Sequence, residues 1–145
     1  MASLITRAGR LDLCTAASAW LTGTHKVALL GPTYTPAVTD TASVIATHEL
    51  SGTGYAAGYG GSGRKTLASK TLATSSAGRT VFDAADLTWT AINAGTAGWL
   101  AVVRETGGSD ATSVLVAVLA YPVTLTDGSD LVVTWPATGL FYLAD

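Results

Sequence analysis

WLAVVRETGGSDATSVLVAVLAY, residues 99–121, is the most hydrophobic stretch of the chain. Arg104 and Glu105 interrupt it, and Gly107-Gly108-Ser109-Asp110 supplies a turn, so it reads as two strands rather than a membrane helix. In the first strand Trp99, Ala101 and Val103 alternate with Leu100, Val102 and Arg104. The second, residues 114–121, is apolar on both faces, the pattern of an interior strand covered on both sides. Pro122 is expected to close it.

Outward from this pair, residues 123–125, 131–135 and 140–143 read as further strands, with turns at Asp127-Gly128 and Thr138-Gly139. Upstream, residues 79–91 set Leu87, Trp89 and Ala91 on one face and Thr88 and Thr90 on the other, before a turn at Asn93-Ala94-Gly95. Residues 67–73 and 24–30 are two more strands, the latter stopped by Gly31-Pro32. Short strands split by Gly and Pro predict a mainly β fold, an antiparallel β-sandwich or partly closed barrel. One short helix is expected over residues 41–50, capped by Thr39 or Asp40. Residues 1–23 read either as a short helix ending at Gly23 or as an N-terminal arm that orders on a partner. Residues 24–145 read as a single β-rich domain, with no internal repeat and no linker.

The 145 residues suffice for a core without staples. Only 12% are charged, about half the usual share, and mean hydropathy is +0.39. Thr, Ser, Gly and Ala must therefore cover most of the surface, which protects a free monomer poorly and points to burial against other subunits, a quiet Thr-rich soluble surface being the alternative. Net charge is −2, and the three lysines and five arginines are scattered, so no nucleic-acid footprint is expected. The single cysteine, Cys14, excludes an internal disulfide and reads as a small buried apolar residue. Residues 11–14 (LDLC) lack the upstream apolar segment of a lipoprotein box, and no signal peptide or membrane partner is expected.

The loop over residues 51–66 (SGTGYAAGYGGSGRKT) matches two phosphate-binding patterns in part. Gly58, Gly60 and Gly63 fit the dinucleotide fingerprint, but a helix is expected before them and a strand-like segment after, the reverse of what that motif requires. In the P-loop pattern Arg64 is inserted between Gly63 and Lys65. The loop reads instead as a flexible surface element, either a plain loop or one whose Tyr55 and Tyr59 stack on a neighbour. Gly58, Gly60, Gly61, Gly63 and Arg64 are expected beside them at a subunit contact. Of the four tryptophans, Trp89, Trp99 and Trp135 read as core anchors, and Trp20, in the N-terminal segment, is the exception, a candidate anchor in a partner's pocket. His25 and His48 are too few for a metal site, the pairs Asp83/Asp86 and Asp127/Asp130 suit turns, and no serine sits in a nucleophile elbow. No catalytic residue, metal or cofactor is expected.

Several segments, taken in order, resemble small virion proteins of tailed bacteriophages: KVALL at 26–30, YTP at 34–36, HELSGTGY at 48–55, KTL at 65–67, KT at 70–71, VFDAADLTW at 81–89 and the closing strand pair. The resemblance covers about residues 24–143. It implies a particle component, such as a capsid decoration (cement) protein that binds the major capsid protein or another virion protein, or a tail or fibre-associated protein. Homo-oligomerisation, a trimer included, and location in the virion follow as expectations. A carbohydrate- or receptor-binding module using Tyr55 and Tyr59 is the alternative from another class.

Overall fold

The computed structural model describes residues 3–15, 17–75 and 77–143. In chain order the elements are β1 (Ser3–Ile5), α1 (Arg7–Thr15), α2 (Ala17–Thr22), β2 (His25–Leu30), α3 (Ala42–Ala46), β3 (Lys65–Thr66) and β4 (Thr71–Thr74). They continue with β5 (Thr80–Asp83), β6 (Leu87–Trp89), β7 (Gly95–Arg104), β8 (Val114–Leu125), β9 (Leu131–Val133) and β10 (Phe141–Leu143). All strand pairings are antiparallel. The main sheet runs β1-β8-β7-β2-β3, a second runs β10-β5-β4, and β6 pairs with β9. The fold is mainly β and sandwich-like, and its sheets do not close into a barrel.

The hydrophobic pair read from residues 99–121 is the centre of the molecule. β7 and β8 form its longest ladder, and β2 flanks β7. The alternation along β2 sorts its side chains between two cores. Val27 and Leu29 join the larger one with Trp20, Phe82, Trp89, Leu100, Leu119 and Phe141; Ala28 and Leu30 face Tyr34, Ala42, Ile45, Ala101, Leu115 and Val118. The main sheet is thus covered on both sides, as the two-sided apolar pattern of β8 requires. Pro122 does not end that strand. Register shifts between Ala97 and Trp99, opposite this point, and a bulge there leaves the missing N–H without consequence.

Other segments differ from their sequence reading for tertiary reasons. Residues 79–91 divide into β5 and β6, which belong to different sheets. Of residues 67–73 only 71–73 lie in a strand, β4; β3 ends before them at Thr66, and between the two Ser69 takes a φ of +49°. The expected helix is only α3. Thr41 caps it, its hydroxyl accepting from Val44 N, while Asp40 instead accepts from Tyr34 Oη (2.6 Å) and Ala37 N (2.8 Å).

The N-terminal segment is part of the fold rather than a free arm; residues 1, 2 and 16 of the expected arm lie outside the described residues. β1 extends the main sheet along β8. Thr6 then caps α1, its Oγ1 accepting from Gly9 N (2.9 Å) and donating to Leu115 O. α1 lies so close to β8 that a Cβ on Gly9 would overlap the Val116 carbonyl. Asp12 pairs with Arg104 of β7, and Leu13 is buried. Cys14 falls on the outward side and is exposed, contrary to the buried expectation.

Candidate interaction site

Glu49 follows α3, and its bridge to Leu30 carries it to the end of β2. Its side chain is fully buried, as is that of Arg64. Arg64 donates to both Glu49 oxygens, with Nη2···Oε2 at 2.8 Å and Nε at 3.1 Å from each oxygen. Its other edge meets Asp110, Nη1···Oδ1 at 2.6 Å and Nη2···Oδ2 at 3.1 Å. Glu105 Oε1 lies 3.6 Å from Nη1, and Glu105 Oε2 lies 2.7 Å from Lys26 Nζ. Burial alone would lower the Arg64 pKa, but its hydrogen bonds to the Glu49 and Asp110 carboxylates outweigh it and hold the guanidinium above its ordinary range. One planar cation thus fastens three distant parts of the chain, a task suited to its two-edged donor fork.

The glycine-rich loop is wound around this pair. Tyr55 Oη donates to Glu49 Oε1 (2.8 Å) and accepts from Leu29 N (2.8 Å), and Gly58 N donates to Glu49 Oε2 (3.1 Å). Burial, with the Glu49 charge, pushes the Tyr55 hydroxyl well above its usual pKa. Gly63 lies against the Tyr55 ring, where an added Cβ would sit 2.7 Å from two ring carbons, and its carbonyl accepts from Trp89 Nε1 (2.6 Å).

The residues expected to reach a partner therefore separate into two sets. Trp20, Tyr55, Gly63 and Arg64 are buried in this chain's own core. Trp20 is 1% exposed, set edge-on against Phe82 and Phe141, with Nε1 donating to Thr71 O (2.9 Å). Its pocket is intramolecular, so the partner-anchor expectation is corrected. Gly58 and Gly61 are half-buried, while Tyr59 and Gly60 are exposed at the loop tip. With Tyr55 inside, the two tyrosines form no shared stacking platform.

A second cluster escaped the sequence reading. His25, at the start of β2, is fully buried beside Trp20, ring centroids 4.8 Å apart. Lys70 Nζ lies 3.2 Å from His25 Nδ1 and also bonds Gly23 O. Nδ1 also lies 3.2 Å from Gly23 O, so it faces both a donor and an acceptor, while Nε2 has no partner among the described residues. Burial first, then the Lys70 charge, push His25 down to about 4; the Gly23 carbonyl and Asp12 favour the charged ring, and Arg104 opposes it. The unfolded chain takes up the proton near pH 6.5 and the folded one only near 4, so stability present above 6.5 is lost as pH falls through that window. The expected loss is up to about 3 kcal/mol. Denaturant titrations at pH 7 and 4.5 check this: His25→Gln should show a markedly smaller difference than the parent, and equal differences would refute it.

Among the described residues no group of three or more His, Cys, Asp or Glu is placed to hold a metal ion, and no helix is long and apolar enough to cross a membrane. Two shallow concavities flank β1. One of about 260 Å³ is lined by Ser3, Leu4, Ile5, Arg10, Tyr142 and Leu143, the other of about 240 Å³ by Ser3, Leu4, Pro36 and Trp99. Comparison of the chain with family models, curated proteins and solved structures gave no match.

Proposed function

We propose that this protein is a non-catalytic assembly subunit that acts by packing against copies of itself and a larger structural protein. The observation that carries the reading is where its charge goes. Among the described residues, seven charged side chains (Lys26, Arg64, Arg104, Asp12, Glu49, Glu105 and Asp110) lie in internal ion pairs. Five further carboxylates, Asp40, Asp83, Asp86, Asp127 and Asp130, each accept from a main-chain N–H, Asp86 and Asp130 from residues 49 and 39 positions away. The outer surface is thereby poorer in free charge than the composition alone implies. It also exposes Leu11, Leu21, Val38, Val44, Leu72 and Val132.

The kind of assembly rests on the ordered sequence segments that resemble phage virion proteins. On that basis we assign the protein to the head of a tailed bacteriophage as a decoration subunit, adding many weak contacts multiplied by symmetry. Quantitative mass spectrometry of purified particles tests this. Hundreds of copies per particle, with lowered thermal and osmotic resistance when the protein is stripped, are expected. A handful of copies at the tail would transfer it to the tail or fibre reading, and its absence from particles would end both.

A further inference from the structure

We propose that β4 is a dimerisation edge, pairing antiparallel with the β4 of a second copy across a two-fold axis normal to the sheet. The inference rests on the reading of the protein as a self-associating subunit and names the surface involved.

Natural sheets protect their edges with charge, proline, brevity or a covering element. β3 is two residues long and carries Lys65; β1 has three residues with Arg10 at its flanking groove. β4 has four residues, Thr71-Leu72-Ala73-Thr74, all exposed, with no charge and no proline, and among the described residues it pairs with β5 on one side only. Leu72 is 39% exposed although it pairs with Phe82, which is in the core.

The main chain is oriented for the pairing. Ser75 N donates to Arg79 O, continuing the ladder that pairs Thr74 with Thr80. Residues 71, 73 and 75 therefore direct their main-chain groups toward β5, and Leu72 and Thr74 direct theirs outward. A two-fold axis normal to the sheet keeps inner face beside inner face, so facing residues must share the same parity. Centred on Leu72, the pairing sets Leu72 opposite its own copy, where the two residues exchange both main-chain hydrogen bonds. It also sets Thr71 opposite Ala73 and Lys70 opposite Thr74, with no like charges opposed. The exposed leucine is covered by its symmetry mate, and the three-stranded sheet becomes a continuous six-stranded one.

Charge exchange at residue 72 tests both surface and register, read by sedimentation velocity of the full chain over a concentration series. The parent should dimerise. Leu72→Glu and Leu72→Lys should each weaken dimerisation by roughly tenfold or more, because each places like charges face to face. An equimolar mixture should recover the dimer as a heterodimer, which also shows that both variants are folded. Thr74→Pro removes an outward N–H without touching the β5 ladder and should likewise give monomer. A monomeric parent, dimers insensitive to residue 72, or variants that do not recover on mixing overturn the proposal. A parent that dimerises through Leu72 yet is missing from particles defeats the decoration assignment alone. Particle-bound copies insensitive to residue 72 defeat the β4 interface alone.

Discussion

Arg64→Met is expected to remove about 3–5 kcal/mol of folding stability, the range for breaking a buried ion pair from one side. Against a total of about 5–15 kcal/mol this is a large fraction, and it corresponds to a fall in Tm of roughly 10 °C or more for a chain of this size. Methionine replaces the volume of the arginine stem, so the loss is electrostatic rather than a cavity. Among the described residues, Glu49, fully buried, keeps only the Tyr55 hydroxyl and the Gly58 N–H as donors. Asp110 loses both of its bonds to Arg64, and Glu105 keeps Lys26. Arg64→Lys should fall between parent and Met variant, since a single ammonium cannot span the Glu49 and Asp110 carboxylates together. Mild acidification, which lets the stranded carboxylate take up a proton, is expected to return part of the stability in Arg64→Met. His25 destabilises parent and variant alike over the same interval, so the recovery is read as a narrowing of the gap between them. Adding Glu49→Gln to Arg64→Met should recover much of the loss at neutral pH. Circular dichroism melts at pH 7 and 5.5 give all of these comparisons. A cost of less than about 1 kcal/mol, the scale of an exposed pair, with no recovery on acidification, would refute the hub.

That hub was not legible in the sequence, whereas the sheet around it largely was. Alternation and a turn signal in residues 99–121 are local facts, and they suffice to place β7 and β8 antiparallel with β8 covered twice. Glu49 and Arg64 are fifteen residues apart and Asp110 a further forty-six, so their meeting depends on the tertiary fold. The glycines drew attention to the right loop for a different reason. Their spacing suggested a phosphate cradle or a surface contact, while the anion they surround is the chain's own Glu49. The available hint was an arginine among glycines in a chain with few charges, a residue seldom buried unless paired. At Pro122 a sound local rule gave way to a bulge, because the missing N–H falls where the ladder is already interrupted. Gly9 makes the same point for α1, whose docking depends on a close approach to Val116 that no periodicity reports. Edges are the hardest feature to read, since a Thr-rich strand looks alike whether its neighbour is solvent or a second chain.

Trp20→Ala is expected to cost about 3–5 kcal/mol, as for other fully buried tryptophans, and to detach the helical N-terminal segment first. The indole fills the space between α2 and the second sheet. It meets Phe82 and Phe141 edge-on at 5.5 Å, with Lys70 Nζ 5.9 Å from its ring and Nε1 bonded to Thr71 O. Truncation opens a cavity beside Phe82 and Phe141 and leaves the buried His25 ring without its aromatic neighbour. Trp20→Phe keeps most of the packing and loses the hydrogen bond, so a cost nearer 1–2 kcal/mol is expected, roughly the worth of that bond plus imperfect fit. Hydrogen exchange separates this account from the partner-anchor reading of the same residue. If Trp20 closes the chain's own core, the alanine variant should show faster exchange across α1 and α2 in the isolated protein, with a lower Tm at every protein concentration. If Trp20 served a partner instead, the isolated variant would match the parent in both measurements and differ only in assembly. The β4 interface lies beside this contact, because Trp20 holds the carbonyl of Thr71, the first residue of the strand. Loss of the indole is therefore expected to loosen that edge, so dimerisation should weaken in Trp20→Ala and be largely retained in Trp20→Phe. This outcome links the stability of the N-terminal helices to self-association without requiring either of them to touch the second copy.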